Sequence, residues 1–322
     1  MRAFFVALLM ALAGPPGVST TSLAADYPTR PVRLIVPFAP GGATDIVGRL
    51  MADQLSTRWG QPVVVENKPG AGTIIGTSAM VNSPADGYTI GVAISAHVIN
   101  PSLQASMPYD TLRDIAGVSL VSYQTMSVTA TPSLPVTDLP SLIALAKATP
   151  GGLNYASPGV GTMTHLVGEL LERAAGIKIT HVTYAGGAPA QLDVMAGRVP
   201  MLIDIWYSAR PKVEAGNLKL LAVFDAKRLA ERPDVATVAE TLPGLDARSS
   251  LGLIMRSAVP RPIIEQVSAT AAAAVRDPTF SQKMRELGLE PVGSTPDEYD
   301  AFIRRETARW KAVIDAKGIK LN

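Results

Sequence analysis

Apolar and polar positions along this chain follow two alternating periods. Short runs at 32–36, 62–66 and 88–94 are almost continuously apolar or β-branched, as strands covered on both faces are. Between them apolar residues return at helical spacing, so Ile46, Val47, Leu50, Met51 and Leu55 mark one face of a helix over 45–55. Three strand, turn and helix units in succession predict a parallel, doubly wound sheet whose ligand crevice lies at the carboxyl ends of the strands. The pattern breaks over 100–122, where Pro101, Pro108, Asp110 and Asp114 interrupt it before a strand at 118–121; this stretch reads as a crossover between domains. A strand at 127–131 and a helix at 139–148 follow, and then the first grammar returns. Its pieces are a strand at 153–155, a helix with Thr162 as N-cap running to Ala175 and stopped by Gly176, a strand at 178–183, a helix at 188–196 and strands at 201–205 and 218–224. A strand at 251–255 is expected to rejoin the first sheet, before helices at 261–276, 278–287 and 296–316. The last opens on a Thr295–Glu298 capping box, and its stripe of Tyr299, Phe302, Ile303, Trp310, Val313 and Ile314 is expected to pack on the first domain.

Four glycine-rich turns sit between a strand and a helix. They are Pro40-Gly41-Gly42-Ala43-Thr44, Gly70-Ala71-Gly72-Thr73, Ser157-Pro158-Gly159-Val160-Gly161-Thr162 and Tyr184-Ala185-Gly186-Gly187. Glycine lets a ligand approach the backbone, and the unpaired N–H groups of a first helical turn, with the positive end of the dipole behind them, attract an anion. One such turn is an ordinary loop; four, divided between two halves, suggest two facing lobes that close on a small anion. Gly70, Gly72 and Gly76 are spaced one residue too long for the dinucleotide fingerprint and follow a second strand, so nucleotide binding is not expected. Asp204 lies within the apolar run 201–205 and marks either a site or the exposed end of a strand.

The beginning of the chain sets the compartment. Arg2, an apolar run over 4–13 and Ser22-Leu23-Ala24 read as a secretory signal peptide cleaved after Ala24, or after Ala25. Without it Arg2 is lost, and the remaining basic residues exceed the 27 acidic ones by a single charge. That balance gives no footprint for nucleic acid or for an anionic membrane. The absence of cysteine excludes disulfides, thiolate chemistry and a lipoprotein anchor. Three histidines, His97, His165 and His181, have no helical-pair spacing, so no metal is expected, and no cofactor either. Neither a nucleophile elbow nor paired acids at a turn are present to suggest a hydrolase.

Several motifs in order resemble the substrate-binding proteins of tripartite tricarboxylate transporters, the Bug or TctC-like family. They include Ile35-Val36-Pro37-Phe38-Ala39-Pro40-Gly41-Gly42 with Thr44-Asp45, Val65-Glu66-Asn67-Lys68-Pro69-Gly70-Ala71-Gly72, Asp86-Gly87-Tyr88-Thr89, Pro108-Tyr109-Asp110, Tyr155-Ala156-Ser157 with Gly161-Thr162 and His165-Leu166, and His181-Val182 with Tyr184 and Gly187. The resemblance implies a type II periplasmic binding fold, two doubly wound α/β domains around a ligand cleft. Residues 1–24 would be the signal peptide, 25–122 plus 248–322 the first domain and 123–247 the second. The implied function is capture of a mono- or dicarboxylate by domain closure, for delivery to a membrane permease, by a periplasmic monomer without catalysis. An orphan sensor for a membrane signalling partner and an exported enzyme acting on a small carboxylate are the alternatives. Carried over, Gly41, Gly42, Ala43, Thr44, Gly72 and Thr73 would hold the ligand from the first domain, with Ser157, Gly161, Thr162, Gly186, Gly187 and Asp204 facing them. His97 matches the pattern as either a site-lining or a structural residue. Two departures stand out: Thr73 and Ile74 replace a common glycine and variable residue, and His181-Val182-Thr183-Tyr184-Ala185 lacks the lysine that commonly ends this motif.

Overall fold

In a computed structural model the described residues are 27–319, without 39, 41, 42, 158, 185, 186 and 246. The expected signal segment, Gly41, Gly42 and Gly186 therefore lie outside the described residues. The first half follows the expected order: β1 (Val32–Val36), α1 (Ala43–Trp59), β2 (Val63–Asn67), α2 (Ile74–Val81), β3 (Thr89–Ile94) and α3 (Ala96–Leu103). Two strands then run almost without pause, β4 (Ile115–Gln124) and β5 (Met126–Ala130), but belong to different sheets. After α4 (Leu139–Ala148) come β6 (Leu153–Ser157), α5 (Met163–Ala175), β7 (Ile179–Thr183), α6 (Gly187–Met195), β8 (Met201–Ile205), α7 (Trp206–Glu214), β9 (Lys219–Phe224) and the short α8 (Val238–Thr241). The chain closes with β10 (Ser249–Arg256), α9 (Arg261–Arg276), α10 (Pro278–Glu286), β11 (Leu289–Pro291) and α11 (Pro296–Lys317).

The two sheets share one plan. In the first, β2, β1 and β3 are parallel, and β10, β4 and β11 extend it antiparallel, in the order β11-β4-β10-β3-β1-β2. In the second, β7, β6 and β8 are parallel, and β5 and β9 extend it antiparallel, in the order β7-β6-β8-β5-β9. Each sheet thus has a strand from across the chain beside its third parallel strand: β10 against β3, β5 against β8. This is the arrangement of two α/β lobes joined by two crossings, at Thr125 and between α8 and β10. It bears out the expected fold class.

Three differences from the expected elements have physical causes. The strand expected at 118–121 runs from Ile115 to Gln124, because it pairs with β10 along its whole length and its polar residues Ser119, Ser122 and Gln124 are buried there. Helices α3 and α7 were not expected, since Pro101 and Pro211 stand inside them. Tertiary packing overrides these breakers: Val98, Ile99 and Leu103 are buried in α3, which packs on α11, and Trp206 and Ala209 are buried in α7. Finally, α11 does not pack on the first lobe alone. Tyr299, Trp310, Val313 and Ile314 share one buried cluster with Leu166, Val167 and Leu171 of α5, so the helix lies against both lobes.

Candidate functional site

Each lobe offers the ends of three parallel strands, and strand order reverses between β1 and β3 in one and between β6 and β8 in the other. Such switch points leave a crevice, because the loops leaving the two strands run to opposite faces of the sheet. A cleft of about 740 Å³ lies there, lined by both lobes.

In the first lobe the wall consists of three loops. Phe38 and Thr44 follow β1; Ala71, Gly72 and Thr73 follow β2; Ile94, Ser95 and Ala96 follow β3. A polar clasp fixes the first loop: the Asn67 amide donates to the Phe38 carbonyl at 2.9 Å and to Asp45 Oδ1 at 2.8 Å, while Arg49 Nε donates to Asp45 Oδ2 at 2.9 Å. The second loop is strained. Ala71 and Thr73 have φ of 45° and 85°, in the left-handed region that a β-branched residue rarely enters. Asn100, from α3, holds this turn by donating to the Gly72 carbonyl at 2.7 Å and more distantly to Thr73 Oγ1 at 3.4 Å. Ser95 stands at the start of α3, where its hydroxyl accepts the Ser250 N–H at 2.9 Å and lies 3.3 Å from the Ser249 hydroxyl, tying the third loop to the returning strand β10.

The second lobe builds its wall by regular capping. Thr162 Oγ1 accepts the His165 N–H and donates to the Gly159 carbonyl at 2.7 Å, which fixes the turn and starts α5. The cap takes the N–H of His165; the amides of Met163 and Thr164, in the same first turn, have no partner within the helix. His165 shapes the same turn from behind: its Nδ1 accepts the Gly161 N–H at 3.1 Å, which leaves the proton on Nε2, facing Glu169 at 3.7 Å. Its ring stacks on His181 with centroids 4.0 Å apart, and His181 Nε2 meets Ser157 Oγ at 2.6 Å. Burial holds both imidazoles down at about 4, so they are neutral at physiological pH. At the end of β8, Asp204 and Ile205 complete the wall. Asp204 is only 4% exposed; its Oδ2 accepts Gln191 Nε2 at 2.6 Å and its Oδ1 the Ile205 N–H at 2.8 Å. Desolvation raises its pKa, against the opposing pull of these hydrogen bonds.

The structure brings Thr44, Gly72, Thr73, Gly161, Thr162 and Asp204 together on the cleft wall. Among these the N–H of Gly161 is already spent on His165. Ser157 has no exposed surface and supports the turn from beneath through His181, and Gly187 opens α6 and is not among the lining residues. His97 lies on α3, 2% exposed, with neither ring nitrogen hydrogen-bonded and its pKa lowered by burial to about 4; it is a core residue, not part of the wall. Ala43 begins α1. Sequence reading passed over Ser95, Asn100, Gln124, Thr164 and Ser249, which also line the cleft. Ser95 looked like a strand end and Asn100 precedes a proline; Ser249 and Gln124 lie at the crossings, which carry no motif. Among the described lining residues none is basic, and Asp204 is the one ionisable group. No described group of three or more His, Asp or Glu could hold a metal, and no described helix is long and apolar enough to cross a membrane.

Two lobes, two crossings and a cleft at facing switch points define a periplasmic binding protein of type II. Residues 47–319 match the family described as tripartite tricarboxylate transporter family receptor, and the chain belongs to that family of receptors. It is 34% identical over 308 residues to the protein BugT of Bordetella pertussis, covering 95% of this chain and 94% of that one. Among solved structures it is similar to R. palustris Rpa4515 with adipate, at 35% identity and a TM-score of 0.80, covering 92% of this chain and 100% of that chain. It is also similar to MatC from Rhodopseudomonas palustris with bound malate, at 27% identity and a TM-score of 0.73, covering 89% and 100% of the two chains.

Proposed function

We propose that this protein is a periplasmic receptor without catalytic activity that closes its two lobes on a small mono- or dicarboxylate and presents it to a permease of the tripartite tricarboxylate type. The observation that carries the reading is the convergence of the first turns of α1, α3 and α5, with Thr73 and Ile205 at the N-caps of α2 and α7, on one cleft whose described lining holds no basic side chain. Helix N-termini and hydroxyls can hold a carboxylate through neutral donors, without a guanidinium clamp. Apolar side chains between them, Phe38, Ile94, Leu103, Met126, Val160 and Met163, suit the carbon skeleton of such an acid. The relatives solved with adipate and with malate support the same ligand class.

In this reading the ligand-holding residues are Thr44, Gly72, Thr73, Thr162 and Asp204, joined by Ser95, Asn100 and Thr164, and by Gly41 and Gly42, which lie outside the described residues. The domains are 25–122 with 248–322 and 123–247, the protein acts as a monomer, and the signal peptide is removed after Ala24 or Ala25. The 2.6 Å contact between Ser157 and His181 has the form of a nucleophile and base, but Ser157 is sealed from the cleft, which supports a receptor over an enzyme. Isothermal titration and thermal shift against a panel of C3 to C6 mono- and dicarboxylates test the proposal. Binding in the micromolar range, with a rise in melting temperature, is expected. No response to any acid at millimolar concentration overturns it.

A further inference from the structure

Resting on that reading, we propose that Asp204 makes the cleft selective for carboxylates that also carry a hydrogen-bond donor, a hydroxyl or an ammonium group, on their carbon chain.

The corresponding strand ends of the two lobes differ in chemistry. After β3 the wall presents Ile94 and the Ser95 hydroxyl; after β8 it presents a carboxylate and Ile205. Apart from Asp204, the polar side chains on the described wall are the hydroxyls of Thr44, Thr73, Ser95, Thr162, Thr164 and Ser249 and the amides of Asn100, Gln104 and Gln124, every one able to donate. An ionised Asp204 can only accept. Gln191, the Ile205 N–H and the Ser208 hydroxyl together take three of the four directions that the two carboxylate oxygens offer, which leaves one. That remaining acceptor, offset only in part by Lys212, which is not among the described lining residues, is matched by a ligand donor and opposed by a second ligand carboxylate. The ligand's own carboxylate goes to the helix N-termini, and its hydroxyl or ammonium goes to Asp204. A purely structural aspartate, present only to tie α6 to β8 through Gln191, makes no distinction between ligands that differ by one donor.

Matched ligands separate the two roles. The full mature protein, dialysed free of co-purified ligand, is titrated calorimetrically with three triplets: propionate, lactate and alanine; succinate, malate and aspartate; glutarate, 2-hydroxyglutarate and glutamate. In at least one triplet a donor-bearing acid binds tenfold or more tighter than its unsubstituted parent. In Asp204→Asn that ratio falls below threefold and the parent acid binds more tightly than to the wild type, because a negative neighbour has gone. If Asp204→Asn does not fold by thermal melt, Asp204→Ser is used, and the wild-type ratios decide independently. Parent and donor-bearing acids binding equally, or a preference that survives in the variant, overturns this inference and leaves the carboxylate receptor standing. Binding of no acid in the panel overturns both.

Discussion

The two walls of the cleft reach the same end by opposite means. In the first lobe the turn before α2 is forced into a conformation its residues disfavour and held there by a side chain from another helix; in the second the turn before α5 is set by its own threonine cap and by His165 behind it. Their histidines differ in the same way. His97 sits alone in the first lobe without a partner, whereas His165 and His181 stack and hydrogen-bond to the chain around them. The turn before α2 thus depends on one distant contact, Asn100, and the turn before α5 on local sequence. A wall of the first kind is more easily lost by a single substitution.

The largest effect expected concerns acid. All three histidines are held at about 4 by burial, below the ordinary value near 6.5. As pH falls the unfolded chain takes up protons first, so this contribution to stability is complete above about pH 6.5 and is lost progressively between about 6.5 and 4. For the fully buried His97 the loss is roughly 3 kcal/mol. Guanidinium titrations across that range should show the decline. His97→Leu should make it shallower, leaving the share of His165 and His181, and raise stability at neutral pH, since two unpartnered ring nitrogens leave the core. An acid limb unchanged by that substitution would mean that the lone histidine is not what the first lobe loses.

Next comes the clasp. Asn100→Ala releases the Gly72 carbonyl and the Thr73 hydroxyl, with an expected cost of about 2 kcal/mol in stability and a loss of ligand affinity of about tenfold or more. Denaturant melts and calorimetry read the two separately; affinity within a factor of two of wild type would contradict the dependence of the first wall on α3. The second wall should suffer less in stability from Thr162→Ala, roughly 1 kcal/mol for a lost N-cap, with weaker ligand binding because a cleft hydroxyl goes too. Smallest is Thr73→Gly. Relief of the positive φ should add about 0.5–1 kcal/mol to stability while binding weakens through loss of the hydroxyl, a stability gain traded for function that a thermal melt beside a titration will register.

How much of this was legible in the sequence follows the same division. The parallel strands were readable because Val32, Leu34, Ile35 and Val36, or Val63, Val64 and Val65, form β-branched or aliphatic runs that little else explains. The α5 cap was readable because Thr162 and Gly176 bracket the helix with the residue types that its ends require. Helices α3 and α7 were hidden by Pro101 and Pro211, and with α3 went Asn100, whose role arises from an amide reaching back to a turn 28 residues earlier. The departure at Thr73 was visible as a replaced glycine, but its meaning, a threonine in a glycine conformation, needed the backbone angle. Ser157 and His97 matched a familiar order of residues and yet lie in the interior, because a one-dimensional motif does not distinguish a group that faces the ligand from one that supports it.

The C-terminal helix carries a mechanical consequence. Two strips of backbone, at Thr125 and between α8 and β10, by themselves would let the halves twist as freely as they bend. The apolar seam of Trp310, Val313 and Ile314 against Leu166, Val167 and Leu171 adds a third attachment, made of side chains and not of chain, and any motion that separates it exposes oily surface to water. Opening is thereby steered toward rocking about that seam, and the molecule gains a preferred direction of gape from a helix that contributes nothing to the described lining of the cleft.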